Sequence, residues 1–456
     1  MMIVDNDNST QIQIQEDPNG KHVVMNQKPY QNTKRLLWIV CIAWLMVLIA
    51  LPLLYFVGYV NAKDKYAKDK YAIKANRYNI VTTFASLPPL YAVLANLDHN
   101  EPVYVYNDRV NTFDIDKMPS NWHKIIDFGL SSGEDGMRQV AEATLQLVQN
   151  IIRYNPQATF RYYVDDLRVL LPLYVFETAG ISMDRVSIVM LSDGTYSYNS
   201  ALTKFLGQDG VDNWSVVYQE LNDYIAKFRN GDELTQQDYN KMWLGWDFAY
   251  PASALDNVTY WLQFPEYLYL HSDMSSDMLS QFLRLNIFKQ QPYSLLNNLS
   301  FDAKDIFFDV TINNKANQVD GQDLRQILDE YFVSDDGMPV MIISGTNPNP
   351  STFVADGGIV DTLIEMYSAN YQLMFKPHPA YTADNDALQA KGIISLPAQL
   401  PMEVLMMAYP NIRIGGFGST LYMSTRSEQV AFFIGSLAAP LDWLAGHGFF
   451  DQAVFV

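Results

Sequence analysis

The sequence predicts an α/β protein made of two facing Rossmann-like domains, each built on a parallel sheet. From Tyr78 onward, short apolar segments alternate with helical segments, a pattern typical of parallel strands joined by crossover helices. The alternation occurs twice, before and after a helical, aromatic-rich region over residues 199–257. The chain has 456 residues, 49% of them apolar, which is enough for two domains with their own cores.

The predicted strands fall into two sets. The first set comprises residues 79–84, 103–106, 125–128, 159–164 and 185–191. Helical patterns over residues 137–152 and 167–178 lie between these strands. The second set comprises residues 267–270, 340–344, 372–375, 412–414 and 430–434. We therefore predict an N-terminal domain over residues 78–257 and a C-terminal domain over residues 258–456, with a ligand in the cleft between them.

The first 77 residues differ from the rest of the chain. Residues 1–35 are polar and rich in Asn, Gln and Asp, so we predict a disordered tail. Residues 36–60 form an uncharged apolar run of 25 residues, long enough to cross a bilayer as a helix. Residues 61–77 contain a tandem repeat of Ala-Lys-Asp-Lys-Tyr and are predicted to form a charged stalk. The sequence thus predicts a single transmembrane helix ahead of the two domains.

Composition excludes some classes of partner and site. The net charge is 31 − 50 = −19, and no long basic stretch occurs outside the flanks of the apolar run, which argues against a nucleic-acid partner. The only cysteine, Cys41, lies in that apolar run. A disulfide framework and a cysteine metal site are therefore not expected.

Polar residues that could take part in catalysis or ligand binding follow several predicted strands. Residues 375–379 read Phe-Lys-Pro-His-Pro, and residues 415–422 read Gly-Gly-Phe-Gly-Ser-Thr-Leu-Tyr. A basic His-Pro corner and a glycine-flanked Ser-Thr pair at neighbouring strand ends predict an anion site, because N–H groups and hydroxyls can converge there on a negative ligand. Far upstream, Asp193-Gly194 follows the predicted strand 185–191. A carboxylate is therefore expected to face an imidazole and a phosphate-type cradle.

These segments resemble the bacterial sialyltransferases of glycosyltransferase family 80. The matching stretches are residues 184–198, 374–379 and 401–424, and the turn at 84–90 is also similar. The resemblance implies the GT-B fold, CMP-sialic acid as donor, inversion at the transferred sugar, and neither a metal nor a cofactor. The sequence departs from the family pattern at three positions. Ser192 replaces the first Asp of an Asp-Asp-Gly-Ser segment, Pro377 replaces a Gly before the histidine, and Thr420 replaces a Ser.

The resemblance also implies roles for individual residues. Asp193 would be the catalytic base and His378 the general acid. The donor-binding set would be Ser86, Gly345, Thr346, Lys376, Pro379, Glu403, Ser419 and Thr420. On pattern alone, Asp193 beside Gly194 also fits a turn aspartate with no catalytic role. Ser419 also fits an ordinary helix N-cap. The Asp-X-Asp segments 114–116 and 384–386 fit the bare form used by metal-dependent transferases, but such matches are common in an acidic chain.

The leading functional prediction is a membrane-anchored sialyltransferase. It would transfer sialic acid from CMP-sialic acid to a hydroxyl of a galactoside-type acceptor glycan or glycolipid. The alternatives are a transferase of another nucleotide sugar, and a catalytically inactive, membrane-tethered glycan- or nucleotide-binding protein. Lys and Arg are more numerous after the apolar run than before it, which favours a catalytic domain on the cytoplasmic face of a bacterial inner membrane. In a eukaryotic host the expected location is the Golgi lumen.

Overall fold

The computed structural model describes residues 12–16, 22–26, 38 and 46, and most of residues 75–456. Within the last range the positions not described are 111, 131–132, 206–208, 271–274, 313–327, 330–331, 333–337, 347, 379–384 and 399. The chain forms two compact units, Met1–Ile73 and Lys74–Val456. The predicted catalytic region lies entirely in the second unit.

The first unit contains a pair of strands where the sequence predicts disorder. Strands β1 (Ile12–Glu16) and β2 (His22–Asn26) pair antiparallel, with Ile14 opposite Val24. The prediction for residues 1–35 is therefore wrong over these two segments. The Ile-Gln-Ile-Gln alternation of β1 has strand periodicity, and the overall polar composition concealed it.

The predicted transmembrane run, residues 36–60, lies outside the described residues except for Trp38 and Met46. Both are in helical conformation, and their side chains are 71% and 67% exposed. Among the residues that the structure describes, no helix has the length and apolar character needed to cross a bilayer. Most of the predicted stalk, residues 61–74, is likewise outside the described residues.

The second unit begins with a seven-stranded parallel sheet. Its strands are β3 (Arg77–Thr83), β4 (Val103–Asn107), β5 (Trp122–Lys124), β6 (Thr159–Asp165), β7 (Val186–Leu191), β8 (Val258–Leu262) and β9 (Ile287–Lys289). They are ordered β5-β4-β3-β6-β7-β8-β9. The central strands are buried, because helices cover both faces of a parallel sheet.

A six-stranded parallel sheet follows. Its strands are β10 (Val340–Ser344), β11 (Gln372–Lys376), β12 (Ile394–Ser395), β13 (Arg413–Phe417), β14 (Val430–Ile434) and β15 (Val454–Phe455), ordered β12-β11-β10-β13-β14-β15. In both sheets the chain starts at the centre, runs to one edge and then returns to the other side. Each sheet therefore has a switch point, between β3 and β6 and between β10 and β13, where α/β proteins bind ligands. The predicted α/β class with two parallel sheets is confirmed.

Helices connect the strands. Their bounds are Leu87–Asn96, Glu134–Tyr154, Leu170–Thr178, Thr195–Lys204, Gly210–Asn230, Gln236–Trp243, Ala249–Ala252, Glu266–Leu270, Ser276–Phe282, Pro292–Asn298, Phe301–Ile312, Ile359–Tyr367, Asn385–Ala390, Met402–Ala408, Leu421–Ser424 and Leu441–Gly446. The helix Glu134–Tyr154 shows why they form: it buries Val140, Val148 and Ile151 on one face and begins with acidic residues, which favour a helix N-terminus.

Three predicted elements differ from the structure. Residues 267–270, predicted as a strand, belong to the helix Glu266–Leu270, and so short an apolar run fits either conformation. The strand predicted at 125–128 lies earlier, at Trp122–Lys124. Strands β8 and β9 follow the predicted domain boundary at residue 257, yet they extend the first sheet, because β8 pairs with β7.

Aromatic contacts join residues near the C-terminus to the segment that follows β8 of the first sheet. The ring of Trp443 lies 5.2 Å from that of Tyr267, and the ring of Phe449 lies 5.3 Å from that of Phe264. Both partners come from the segment just after β8. The two sheets are therefore held on opposite sides of one cleft.

Candidate active site

A cleft of about 570 Å³ opens where the carboxyl ends of the two sheets face each other. Its lining includes eight of the ten predicted site residues: Ser86, Asp193, Gly345, Lys376, His378, Glu403, Ser419 and Thr420. Thr346 is not among the lining residues, and Pro379 lies outside the described residues. Segments that are separated by more than 300 residues in sequence thus meet where the carboxyl ends of the two sheets face each other.

Asp193 occupies the turn that follows β7. Its own N–H donates to Ser197 Oγ at 3.1 Å, and the Gly194 N–H donates to Ser192 Oγ at 3.0 Å. Burial raises the pKa of the Asp193 carboxyl from its ordinary 3.8 to about 8, with further raising by the negative charges of Asp165 and Asp166. A carboxylate with that pKa is suited to accept a proton near neutral pH.

Behind Asp193 lies a buried charged layer that the sequence analysis did not single out. Asp165 Oδ2 accepts the Phe84 N–H at 2.7 Å and lies 3.3 Å from Arg168 Nη1. Burial raises the pKa of Asp165 to about 7, although Arg168 opposes the rise. The Arg168 guanidinium lies over the rings of Trp243, at 4.4 Å, and Phe84, at 5.0 Å. The available signal was an Asp-Asp pair at the end of a predicted strand.

Gly194 allows the two sides of the cleft to meet. Its φ is +96°, and a Cβ at this position would lie 1.8 Å from Thr420 Cγ2. The hydroxyls of Thr195 and Thr420 are 3.3 Å apart across the same junction. A glycine is therefore required here both for backbone conformation and for the close approach of Thr420.

His378 and Lys376 follow β11 but differ in exposure. His378 is exposed to the cleft, and partial burial together with Lys376 lowers its pKa below the ordinary 6.5. Lys376 is only 5% exposed, and burial lowers its pKa to about 8. Its Nζ donates to the carbonyls of Pro377 and Ala398, both at 2.8 Å. Lys376 thus ties the histidine corner to the loop that leads to the helix Met402–Ala408.

Glu403 and Ser419 lie at the starts of two short helices on the same side of the cleft. Burial raises the pKa of Glu403, while the positive charge of Lys376 lowers it. Ser419 Oγ accepts the Leu421 N–H at 3.3 Å, but the N-cap of the helix Leu421–Ser424 is Thr420, whose side chain makes no capping hydrogen bond. Ser419 and Thr420 are both partly exposed and line the cleft, which keeps their hydroxyls near any ligand bound there.

The remaining predicted donor residues lie at the first turn after β3 and after β10. Ser86 is exposed, and its hydroxyl does not cap the helix Leu87–Asn96. The Gly345 N–H donates to the Lys376 carbonyl at 3.0 Å, and a Cβ on Gly345 would lie 2.7 Å from the Phe375 ring. The Thr346 N–H donates to Asn349 Oδ1 at 2.8 Å. Gly345 is therefore fixed by backbone packing.

The two Asp-X-Asp segments lie elsewhere. Asp114 and Asp116 line a separate pocket of about 310 Å³ together with Asp127 and Lys124. Asp384 is outside the described residues. Over the residues that the structure describes, no group of three or more His, Cys, Asp or Glu side chains is placed to hold a metal ion.

Two parallel sheets that face each other across one cleft form a GT-B-like fold. Residues 363–439 match the family model described as sialyltransferase PMO188. Comparison with curated protein sequences gives no match.

Solved structures of similar fold come from Photobacterium. An α/β-galactoside α-2,3-sialyltransferase of Photobacterium phosphoreum has a TM-score of 0.59 at 14% identity, covering 84% of this chain and 99% of its own. The sialyltransferase of Photobacterium damsela has a TM-score of 0.59 at 19% identity, over 84% of this chain and 82% of its own. A 2,6-sialyltransferase of Photobacterium sp. JT-ISH-224, solved with CMP and lactose, has a TM-score of 0.57 at 15% identity, over 84% and 78%. These findings confirm the resemblance to bacterial sialyltransferases of family 80, and the solved structures show that this chain shares their fold.

Proposed function

We propose that this protein transfers sialic acid from CMP-sialic acid to a hydroxyl of an acceptor glycan, by an inverting single displacement without a metal. The observation that carries the proposal is the meeting of Asp193 and His378 in one cleft, each at the end of a strand from a different sheet. The Ser419 and Thr420 hydroxyls line the same cleft. One cleft therefore contains a base for the acceptor hydroxyl, together with an acid and phosphate-binding groups for the donor.

The proposed reaction uses these groups in one step. The acceptor oxygen attacks the anomeric carbon of sialic acid while Asp193 takes its proton. The bond from that carbon to the phosphate oxygen breaks, CMP leaves with the electron pair, and His378 donates a proton to the phosphate. The lowered pKa of His378 would rise beside a bound phosphate, since an opposite charge favours the protonated imidazole. Glu403 is proposed to bind ribose hydroxyls.

We propose a galactoside-type acceptor. A solved relative of the same fold was captured with CMP and lactose, and another is described as acting on α- and β-galactosides. The pKa of about 8 for Asp193 supports proton removal from an alcohol, because a stronger base gains more in the transition state.

The test is turnover of CMP-sialic acid with lactose as acceptor, followed by release of CMP and formation of sialyllactose. Asp193→Asn keeps the shape of the side chain but removes the proton acceptor, so the rate should fall by roughly 10²–10⁴-fold. A nuclear magnetic resonance assignment of the product's anomeric configuration tests inversion, and excess chelator tests the metal-independent step. Transfer from a UDP- or GDP-sugar but not from CMP-sialic acid would overturn the proposal.

We also propose that residues 36–60 anchor the protein in a membrane, with the catalytic unit on the cytoplasmic face of a bacterial inner membrane. The support is the uncharged apolar run of 25 residues and the lysine-rich segment that follows it. Protease added to intact spheroplasts should spare the catalytic unit, and protease added after lysis should digest it. Digestion in intact spheroplasts would reverse the orientation, and release by alkaline carbonate would exclude the anchor.

A further inference from the structure

The turn that carries Asp193 is held by two hydrogen-bond relays. In the first, the Asp193 N–H donates to Ser197 Oγ at 3.1 Å, and the Ser197 hydroxyl donates to the carboxylate of Asp166. In the second, the Gly194 N–H donates to Ser192 Oγ at 3.0 Å, and the Ser192 hydroxyl lies 2.9 Å from Gln263 Oε1 and 3.0 Å from Ser197 Oγ, which links the two relays. Two consecutive amides are thus each captured by a serine that is itself anchored.

The anchors come from the strands on either side of β7. Asp166 directly follows β6, and Gln263 directly follows β8. The Asp166 carboxylate also accepts the Tyr260 hydroxyl at 2.6 Å and the Leu167 N–H at 2.9 Å. Burial raises the pKa of Asp166, and the three donors around its carboxylate oppose that rise. The turn is therefore fixed against both neighbouring strands of the sheet.

Burial makes these relays rigid. Ser192, Ser197, Asp166 and Gln263 are all 3% exposed or less, so water does not compete for their hydrogen bonds. Losing one partner would leave a buried donor or acceptor unpaired, which costs about 1–3 kcal/mol. The second relay also gives a structural role to Ser192, which stands where the family that this sequence resembles has an aspartate. Here its hydroxyl accepts the Gly194 N–H and faces Gln263.

We propose that Ser197 and Ser192, anchored by Asp166 and Gln263, are positioning residues that aim the Asp193 carboxylate into the cleft. The proposal rests on the proposed function, because it assigns Asp193 as the base. None of the four relay residues lines the cleft, so they act through the backbone of the turn. Their loss should slow the chemical step without weakening donor binding, which the other side of the cleft provides.

Several charged groups surround Asp193 and bear on its pH dependence. On the first sheet's side these are Asp165, Asp166, Arg168 and Arg109. Tyr198 and Tyr260 lie within the relay region. Across the cleft lie Lys376, His378 and Glu403. The negative charge of Asp166 raises the pKa of Asp193. Asp166→Asn should therefore lower the pH at which Asp193 ionises.

The test compares Ser197→Ala with Ser200→Ala in the full chain. Ser200 lies on the same helix and is 2% exposed, but its hydroxyl donates only to the Ser197 carbonyl. Ser197→Ala should lower kcat about 10-fold, with the KM for CMP-sialic acid changed less than twofold, while Ser200→Ala leaves both near wild type. Ser197→Thr restores the hydroxyl and should recover most of the rate. Ser192→Ala provides a second variant if Ser197→Ala does not fold.

Hydrogen exchange of the peptide covering residues 192–197 gives a readout that does not require turnover. Ser197→Ala should raise exchange at the Asp193 amide at least tenfold, and Ser200→Ala should not. Unchanged exchange, or raised exchange with unchanged kcat, overturns the positioning role. If the wild-type protein does not consume CMP-sialic acid, the proposed function fails on its own, and the exchange result still decides whether the relay holds the turn.

Discussion

Replacing Asp193 by Asn should make the protein more stable above neutral pH while it removes the proposed base. In the unfolded chain this carboxyl ionises near its ordinary 3.8, and in the folded protein near 8 because it is buried beside two other aspartates. Between these pH values folding must take up a proton at Asp193. The stability of the wild-type protein therefore falls as pH rises from about 4 to about 8, and asparagine removes this contribution.

The size of the effect follows from the pKa difference. Each unit of pKa difference corresponds to about 1.4 kcal/mol, so the full change from 3.8 to about 8 sets a ceiling on the order of 5 kcal/mol at pH 8. Asp193 is partly exposed at the cleft, and solvent screening reduces this value. We expect the unfolding free energy of Asp193→Asn, relative to that of the wild type, to increase by about 2–3 kcal/mol from pH 5 to pH 8.

The assay is denaturant unfolding of both proteins at pH 5, 6, 7 and 8, with the difference in unfolding free energy plotted against pH. The matched control is Asp184→Asn, because Asp184 is exposed at the opposite end of the same strand. The Asp184→Asn variant measures the effect of removing one exposed aspartate. A difference for Asp193→Asn that does not rise with pH relative to this control would refute the argument that Asp193 is protonated in the folded protein near neutral pH, and a falling difference would reverse the sign of the effect.

Three further predictions test the cleft. His378→Ala should slow transfer from CMP-sialic acid strongly, but should slow transfer from a donor with a better leaving group much less, since that donor needs less protonation; equal losses would assign His378 to donor positioning alone. Gly194→Ala should destabilise the protein by about 2 kcal/mol more than Gly231→Ala, because both positions have positive φ but only Gly194 faces Thr420; equal melting temperatures would contradict this. Lys376→Met should cost about 1–3 kcal/mol of unfolding free energy, since two carbonyls lose their donor; unchanged stability with a higher KM would make Lys376 a donor ligand instead.

The sequence predicted those parts of the fold whose strands are buried on both faces. Residues 340–344 and 430–434 are strands within the predicted bounds, because a continuous apolar run is what a covered parallel strand requires. The errors fall where an apolar segment is short. Glu266–Leu270 is a helix, and its five residues carry no periodicity that separates the two conformations.

The candidate site was predictable to the extent that its residues stand in conspicuous dipeptides. Asp193-Gly194 and His378 in its proline-flanked corner were found in this way, and the structure places both in one cleft. The supporting layer was not predicted. Asp166 and Gln263 are ordinary residues that follow ordinary strands, and only the strand order β6-β7-β8 brings them to either side of the base. Sequence gives the strand ends but not which strands are neighbours.

The burial of charge around Asp193 links stability to the proposed chemistry. Two aspartates lie immediately behind the proposed base, one paired with Arg168 and one held by three donors. Such a layer is costly to bury, and an apolar layer of the same size would fold at least as well. Burial of Asp193 is the larger cause of its raised pKa of about 8, and the charged layer raises the pKa further, so the carboxylate is a strong enough base to act on an alcohol near neutral pH. The stability lost above pH 4 and the basicity available at pH 8 are therefore two measurements of the same electrostatic environment, and Asp166→Asn should change both in step.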